Sequence, residues 1–178
     1  MSEFEFLSVL VSIIFGLGLT HILRGSVGQI FRRQALDLRL AYAGFFVLVL
    51  VLNWWVFFSW RNNEIWSFEI FLVLVLWAIA HYVVAITLYR PDDAESDSRF
   101  ELHLFLLAFV IAGSMDILQT AMRGALFDPW YYLLFVGHYI VLSGIAYFVK
   151  SDTFHRVVST WFLVSILCWA LIVRRFLT

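Results

Sequence analysis

Hydrophobic residues fall into six long runs separated by short polar connections, and this pattern predicts six membrane-spanning helices. Each run has about the 20 predominantly apolar residues that a helix needs to cross a bilayer. The expected fold is an all-α, polytopic membrane helix bundle, a single transmembrane domain over residues 1–178. The predicted spans are Phe4–Leu23, Leu40–Trp60, Trp66–Tyr89, Leu102–Met122, Trp130–Val149 and Phe154–Ile172.

The fifth run is the weakest of the six because small and polar residues interrupt it. Gly137, His138, Ser143 and Gly144 all fall inside it. Only residues 150–152 separate it from the sixth run, which favours a tight helical hairpin. The alternative is a chain of five spans with a re-entrant segment.

Small or polar residues recur at every fourth position of the first run, which predicts a groove for close helix packing. Ser12, Gly16 and Gly28 belong to this row, and Gly18 and Gly25 lie on either side of His21. A second row of this kind in the fourth run consists of Ala108, Ala112, Asp116, Thr120 and Gly124, and Gly113 beside it is a further candidate for helix packing. Because its row is the longest, the first helix is expected near the centre of the bundle.

Composition supports a membrane location for the whole chain. Hydrophobic residues make up 63% and charged residues 14%, against about 25% charged in a soluble domain. The first run opens with Glu3 and Glu5, so it is predicted to be a resident helix, not a signal peptide. The net charge of −1 gives no reason to expect nucleic acid, and Cys168 has no partner for an intramolecular disulfide.

The distribution of lysine and arginine predicts a topology with both termini outside. Eight basic residues fall in the linkers 24–39, 90–101 and 150–156, and four fall on the other side. Residues 24–39 are either an amphipathic helix, a continuation of the first span, or a basic turn. The linker 90–101 is acidic, and Ser98 with Glu101 forms a potential capping box. Trp60, Trp66 and Trp130 are expected in the interfacial aromatic belt.

A short internal sequence similarity hints at a 3+3 inverted repeat of the kind found in transporters. Gly18-Leu-Thr-His21-Ile-Leu in the first run resembles Gly113-Ser-Met-Asp116-Ile-Leu in the fourth. An Arg-Gly pair follows each of them, Arg24-Gly25 and Arg123-Gly124. Six positions make this a hint and not a demonstration.

Ionisable groups within membrane spans are costly, so each calls for a partner or a function. Under the predicted topology they separate by depth. Those toward the inner side are Thr20, His21, Arg24, His81 and His103. Those toward the outer side are Asn53, Glu69, Asp116, Gln119 and His138.

Two histidines share a local pattern of small residues three before and four after the imidazole. For His21 these are Gly18 and Gly25, and for His81 they are Ala78 and Ala85. Three interpretations stay open: hydrogen bonding across a helix contact, a proton or ion pathway, or haem binding through opposed imidazoles.

Asp116 and His138 are predicted at comparable depth, where a carboxylate and an imidazole can exchange a proton. The alternative is a buried structural pair that ties the fourth and fifth helices together. The proton-pathway hypothesis assigns Asp116 and His138 to an outer site and His21 and His81 to an inner one. Arg24, Asn53 and Gln119 are further candidates for the pathway.

The stretches FEFLSVLVSIIFGLGLTHILRG and NWWVFFSW and the following Trp66-Ser-Phe resemble a group of small proteobacterial integral-membrane proteins. The resemblance covers about the first half of the chain and brings no activity with it. It implies a bacterial inner membrane.

The leading functional hypothesis is a small channel or transporter for protons, ions or a small solute, working as a homo-oligomer. Its rivals are a non-transporting membrane scaffold or subunit and a b-type haem membrane protein. An enzyme is not indicated, because the chain has no HExxH motif, phosphate loop or cysteine ligand set. Apart from the haem alternative, no metal or cofactor is expected, and membrane lipid is the expected partner.

Overall fold

A computed structural model describes the backbone of residues 2–31, 38–89 and 98–172, and their side chains except those of 98–101 and 172. Within these ranges the chain is all-helical, as the hydrophobic pattern predicted. The α-helices are α1 (Glu3–Phe31), α2 (Leu38–Phe57), α3 (Phe68–Leu88), α4 (Ser98–Met122), α5 (Tyr132–Phe148) and α6 (Asp152–Ile172). A short 3-10 helix, Phe58–Asn62, follows α2.

Helix is the form in which a single segment satisfies all its backbone hydrogen bonds in lipid, so apolar runs of this length fold in this way. Five of the described helices, all but α5, are long and apolar enough to cross a membrane. α5 has 17 residues and is about 25 Å long at 1.5 Å per residue. It is therefore shorter than a hydrocarbon core of about 30 Å, and whether it crosses fully stays a prediction.

α3 and α4 form the centre of the bundle. α3 packs against α1 and α4, α4 also packs against α5, and α6 packs mainly against α2. The expectation that the first helix lies at the centre was wrong, because a row of small residues does not determine which face of a helix is covered. The buried face of α1 consists mostly of apolar residues that are larger than those of the small-residue row, among them Leu7, Val11, Phe15 and Ile22.

The bundle has two ends, each marked by a large aromatic residue. The Trp60 end carries the connections 58–67 and 123–131, and a hydrogen bond from Trp60 to Gln119 links the first of them to the last turns of α4. The Tyr89 end carries Tyr89 and the connection 149–151. Because successive helices run in opposite directions, positions early in α2 and α4 are nearer the Tyr89 end.

Aromatic side chains fill the bundle on the Tyr89 side of its middle. Phe45 packs against Phe109 and Phe162 at ring distances of 5.4 and 4.9 Å, and Tyr42 packs against Phe105 at 5.2 Å. These five residues are almost completely buried and define the aromatic plug. The rings of the aromatic plug pack against one another between α2, α4 and α6 at this level.

Gly124 ends α4 with a left-handed backbone, at a φ of 72°. The N–H of Gly124 donates to the carbonyl oxygen of Ala121, and the N–H of Ala125 donates to that of Thr120. These two bonds form a Schellman motif, which satisfies carbonyls that have no partner within the helix. Arg123 is thereby held at the last turn of α4.

Gly124→Ala is expected to reduce the unfolding free energy by about 1–2 kcal/mol, because a Cβ is strained in the left-handed region. No atom would obstruct the added methyl group, so the loss reports backbone strain alone. Denaturant titration of the purified protein in mixed micelles measures it. Gly137→Ala, at another uncrowded glycine but within α5, is the control and should not destabilise. Equal effects of the two substitutions would contradict a special role for the left-handed backbone.

The two similar segments, which begin at Gly18 and Gly113, end in different local structures. Arg24-Gly25 lies inside α1, whereas Arg123-Gly124 ends α4. α1 packs extensively against α3, but the corresponding helices α4 and α6 make no comparable contact. The inverted repeat therefore stays a prediction without support from the packing.

Some sequence-based expectations concern residues outside the described ranges. Residues 24–31 continue the first span as helix, while 32–37 are outside those ranges. The same holds for the acidic stretch 90–97, for the Ser98 and Glu101 side chains of the capping box, and for residues 173–178. The topology with both termini outside depends partly on these residues and stays a prediction.

Candidate functional site

One face of α4 carries four polar residues at helical spacing, Asp116, Gln119, Thr120 and Arg123. Positions three, four and seven apart lie above one another on a helix, so the four side chains share one surface. Together with residues of α2, α3, α5 and α6 they line a cavity of about 80 Å³. Since one water needs about 10–15 Å³ on this measure, the cavity has room for several waters or a small molecule.

The Asp116 carboxylate accepts hydrogen bonds from two neighbouring helices and from its own. Oδ1 accepts from Trp77 Nε1 of α3 at 3.1 Å and from Gln119 Nε2 at 3.3 Å. Oδ2 accepts from the Tyr132 hydroxyl of α5 at 2.7 Å. All three side-chain donors are neutral groups, so none of these bonds supplies a positive charge to balance the carboxylate.

A chain of donors and acceptors extends this network. Tyr132 has one hydroxyl proton and gives it to Asp116, so in the 2.9 Å contact between Thr120 and Tyr132 the threonine is the donor. Thr120 accepts in turn from Gln119 Nε2 at 2.9 Å. Gln119 Oε1 accepts from Trp60 Nε1, also at 2.9 Å. Hydrogen bonds linked in this way polarise and strengthen one another.

His81 lies on the same cavity, one helical turn beyond Trp77. Its Nδ1 is 2.8 Å from the carbonyl oxygen of Trp77, which accepts, so Nδ1 carries the proton. Its Nε2 is 2.7 Å from Asn53 Nδ2 and accepts from it. These partners assign a neutral imidazole whose tautomer is fixed by the surrounding hydrogen bonds. His81 is almost completely buried.

The structure groups the candidate pathway residues differently from the sequence-based prediction. Asn53, His81, Asp116 and Gln119 line the one cavity, across the boundary between the predicted inner and outer sets. His138 does not line this cavity; its ring packs against Phe135, Tyr139 and Trp161.

His21 and Arg24 lie away from the cavity. His21 Nε2 donates to the carbonyl oxygen of Tyr89 at 2.6 Å, at the Tyr89 end, and Arg24 is exposed. Tyr89, directly after α3, lies eight positions beyond His81, about 12 Å along the helix axis. Both imidazoles use Nε2 for a protein hydrogen bond, so they do not form an opposed pair with free nitrogens for haem. Haem binding stays a prediction that these two residues do not fit.

The predicted packing residues differ in what surrounds them. The position of a Cβ on Gly25 is occupied by the Tyr89 ring, and on Gly113 it is 3.1 Å from Ile140. On Gly18 it is in ordinary contact with Ala85 at 3.4 Å. Ala112 is fully buried, and Ser12 is half-buried. No atom lies within 4 Å of the position of a Cβ on Gly16.

Three residues of the site were not predicted as members of it. Trp60 was expected in the interfacial belt but is 2% exposed, and its indole nitrogen donates to Gln119. Trp77 and Tyr132 were not predicted to belong to the site. A signal for Arg123 was present in the sequence, because it lies seven residues after Asp116 on the same helical face.

The fold and the site together define a helical membrane protein with a cavity between α2, α3, α4, α5 and α6, whose lining is mostly apolar but includes Asp116, Gln119 and Arg123. Comparison of the chain with protein-family models, curated proteins and solved structures gives no match. The function is therefore argued from the site itself.

Proposed function

We propose that this protein is a small membrane transporter that takes up a proton, a small ion or a small solute at the cavity beside Asp116. The observation that carries the proposal is a carboxylate inside the bundle whose side-chain donors are all neutral, beside a cavity with room for a ligand. Placing an ionisable group at mid-bilayer costs about 2.5–3.5 kcal/mol on insertion scales, and such groups mark substrate and proton pathways.

The position of the cavity favours a transporter over an open channel. Its lining runs from Arg123 and Trp169, near the Trp60 end, to Phe45 and His81 in the interior. There it meets the aromatic plug, to which Phe45 and Phe109 belong. Passage through one chain therefore requires the plug to repack, which is typical of a carrier that opens to each side in turn.

A second candidate, a non-transporting scaffold, is favoured by the completeness of the hydrogen bonding. Trp77, Asp116 and Tyr132 join α3, α4 and α5, which is also what a purely structural network would do. Retention of polar groups for packing specificity alone is known in some proteins. Homo-oligomerisation and a bacterial inner membrane remain part of the transport proposal and are not required by the scaffold.

The two candidates are separated by flux measurements on protein in liposomes that contain a pH-sensitive dye. Wild-type protein is expected to give pH-dependent flux, and Asp116→Asn is expected to lower it at least tenfold because the carboxylate is lost. Asp116→Glu keeps the charge and should keep part of the flux. Glu69→Gln, which neutralises an exposed acid in the first turn of α3, should leave the flux unchanged.

Size-exclusion chromatography and circular dichroism check that each variant keeps its fold and oligomer size. If the wild type carries no protons, common ions or small solutes while Asp116→Asn folds normally, the transport proposal fails and a non-transporting role remains. Loss of flux in Glu69→Gln as well would show that the effect is not specific to the cavity.

A further inference from the structure

We propose that the ligand of the Asp116 cavity is a small zwitterion with an apolar body, of the kind represented by an aliphatic α-amino acid. Its ammonium group would bind Asp116 and its carboxylate would bind Arg123. This inference deepens the transporter proposal, since it names the substrate class of the same site.

The negative end of the cavity has the properties of an ammonium site. Asp116 accepts one bond on Oδ2 and two on Oδ1, from neutral tryptophan, glutamine and tyrosine side chains. A carboxylate offers about four acceptor positions, so one remains for a further donor. A charged donor is favoured there, because a carboxylate out of water is stabilised by an opposite charge with good hydrogen-bond geometry.

The positive end lies on the same helical face. Arg123 is half-buried and lines the cavity seven residues after Asp116, a rise of about 10.5 Å. Side chains on a helix lean toward its N-terminus, so the long arginine side chain shortens the distance between the two charges. A guanidinium has five donors in a planar fork that matches a carboxylate, so it can bind one in addition to its protein contacts. The Schellman motif at Gly124 fixes the backbone that carries it.

The remaining walls are apolar, which selects for a ligand body rather than a bare ion. Branched aliphatic and aromatic residues face the cavity, among them Val49, Leu52, Phe109 and Ile140. A hydrated ion would gain nothing from the apolar walls, whereas an aliphatic side chain removes its surface from water against them.

The charges of the cavity also disfavour singly charged ligands. A simple amine would satisfy Asp116 but approach the Arg123 guanidinium, and a simple carboxylate would approach Asp116. A ligand with both charges satisfies both ends at once. Specificity then arises from repulsion of the singly charged analogues as well as from attraction of the zwitterion.

Three probes of matched shape test this inference by binding alone. They are L-leucine, 3-methylbutylamine, which is leucine without its carboxylate, and 4-methylpentanoate, which is leucine without its amine. Isothermal titration calorimetry on wild-type protein in nanodiscs is expected to detect leucine and to give at least tenfold weaker binding for each analogue. Glycine tests the apolar body and should also bind at least tenfold more weakly than leucine.

Two variants then assign the two charges of the ligand. Asp116→Asn and Arg123→Gln should each weaken leucine binding tenfold or more. In Asp116→Asn, leucine and 4-methylpentanoate should bind with similar affinity, because the amine of leucine no longer contributes. In Arg123→Gln, leucine and 3-methylbutylamine should bind with similar affinity, because the carboxylate of leucine no longer contributes. Glu69→Gln and Arg61→Gln remove one exposed charge of each sign and should bind leucine like the wild type.

The outcomes separate this inference from the transport proposal. If 3-methylbutylamine binds as tightly as leucine, or if none of the probes binds, the zwitterion inference is overturned. The transport proposal is then decided by the liposome flux of the wild type and Asp116→Asn alone. If leucine binds with the expected pattern but no flux is found, the inference stands and the protein is a binding protein rather than a transporter.

Discussion

Trp77→Ala is expected to lower the unfolding free energy by about 3–5 kcal/mol, a large part of the stability of a protein of this size. Trp77 is 1% exposed, and its ring packs against Phe15 and Phe57 at 5.1 and 6.2 Å. Truncation would leave a cavity between α1, α2 and α3. It would also remove one of the three side-chain donors to Asp116. Unfolding in mixed micelles, followed by circular dichroism, measures the loss.

Two controls divide this effect into packing and hydrogen bonding. Trp77→Phe keeps most of the ring volume and removes the N–H, so it should cost about 1–3 kcal/mol. Trp161→Ala removes the same side chain from an exposed position on α6 and should change stability by less than about 1 kcal/mol. If Trp161→Ala costs as much as Trp77→Ala, the buried role of Trp77 is refuted.

Gly25→Ala is expected to destabilise the protein by about 1–3 kcal/mol through overpacking. An added Cβ would overlap the Tyr89 ring at Cγ, the ring carbon that is bonded to Cβ of Tyr89. The ring cannot swing away at its tip, so α1 and the end of α3 would have to separate. That movement would weaken the hydrogen bonds from His21 to the Tyr89 carbonyl oxygen and from the Tyr89 hydroxyl to Gln29.

Gly16→Ala is the matched control on the same helix. No atom of the structure lies within 4 Å of the new methyl group, so alanine should stabilise α1 through helix propensity by about 1 kcal/mol or less. The two substitutions are chemically identical and are expected to have opposite signs. The same sign at both positions would contradict the packing described for α1. Thermal unfolding of both variants in one detergent is sufficient for the comparison.

The cavity could be predicted from the sequence only in part. Asp116 and Gln119 were identifiable because polar residues inside apolar runs are rare and costly. Their partners could not be found in the same way. The chain has eight tryptophans. Nothing in the neighbouring sequence distinguishes Trp60 and Trp77, whose N–H groups donate to side chains of α4.

The grouping of the histidines failed for a related reason. Depth was estimated by counting residues from the ends of each span, and this gave His21 and His81 the same level. In the structure His81 lies beside Asn53 and Trp77, while His21 reaches Tyr89 two turns away along α3. Counting cannot capture the length by which α1 continues beyond its apolar run or the tilt and rotation of one helix against another.

The sequence by itself determined that the chain is an all-helical membrane protein, with the helices close to where they were predicted. It could do so because hydrophobic length and the cost of unsatisfied backbone in lipid act within each segment. Only the tertiary structure decided that α3 and α4 are central, that Gly25 and not Gly16 makes the close approach, and that His81 lines the same cavity as Asp116. These depend on which faces of different helices meet, and that is fixed by the packing of large side chains such as Phe15, Trp77 and Tyr89 across the bundle.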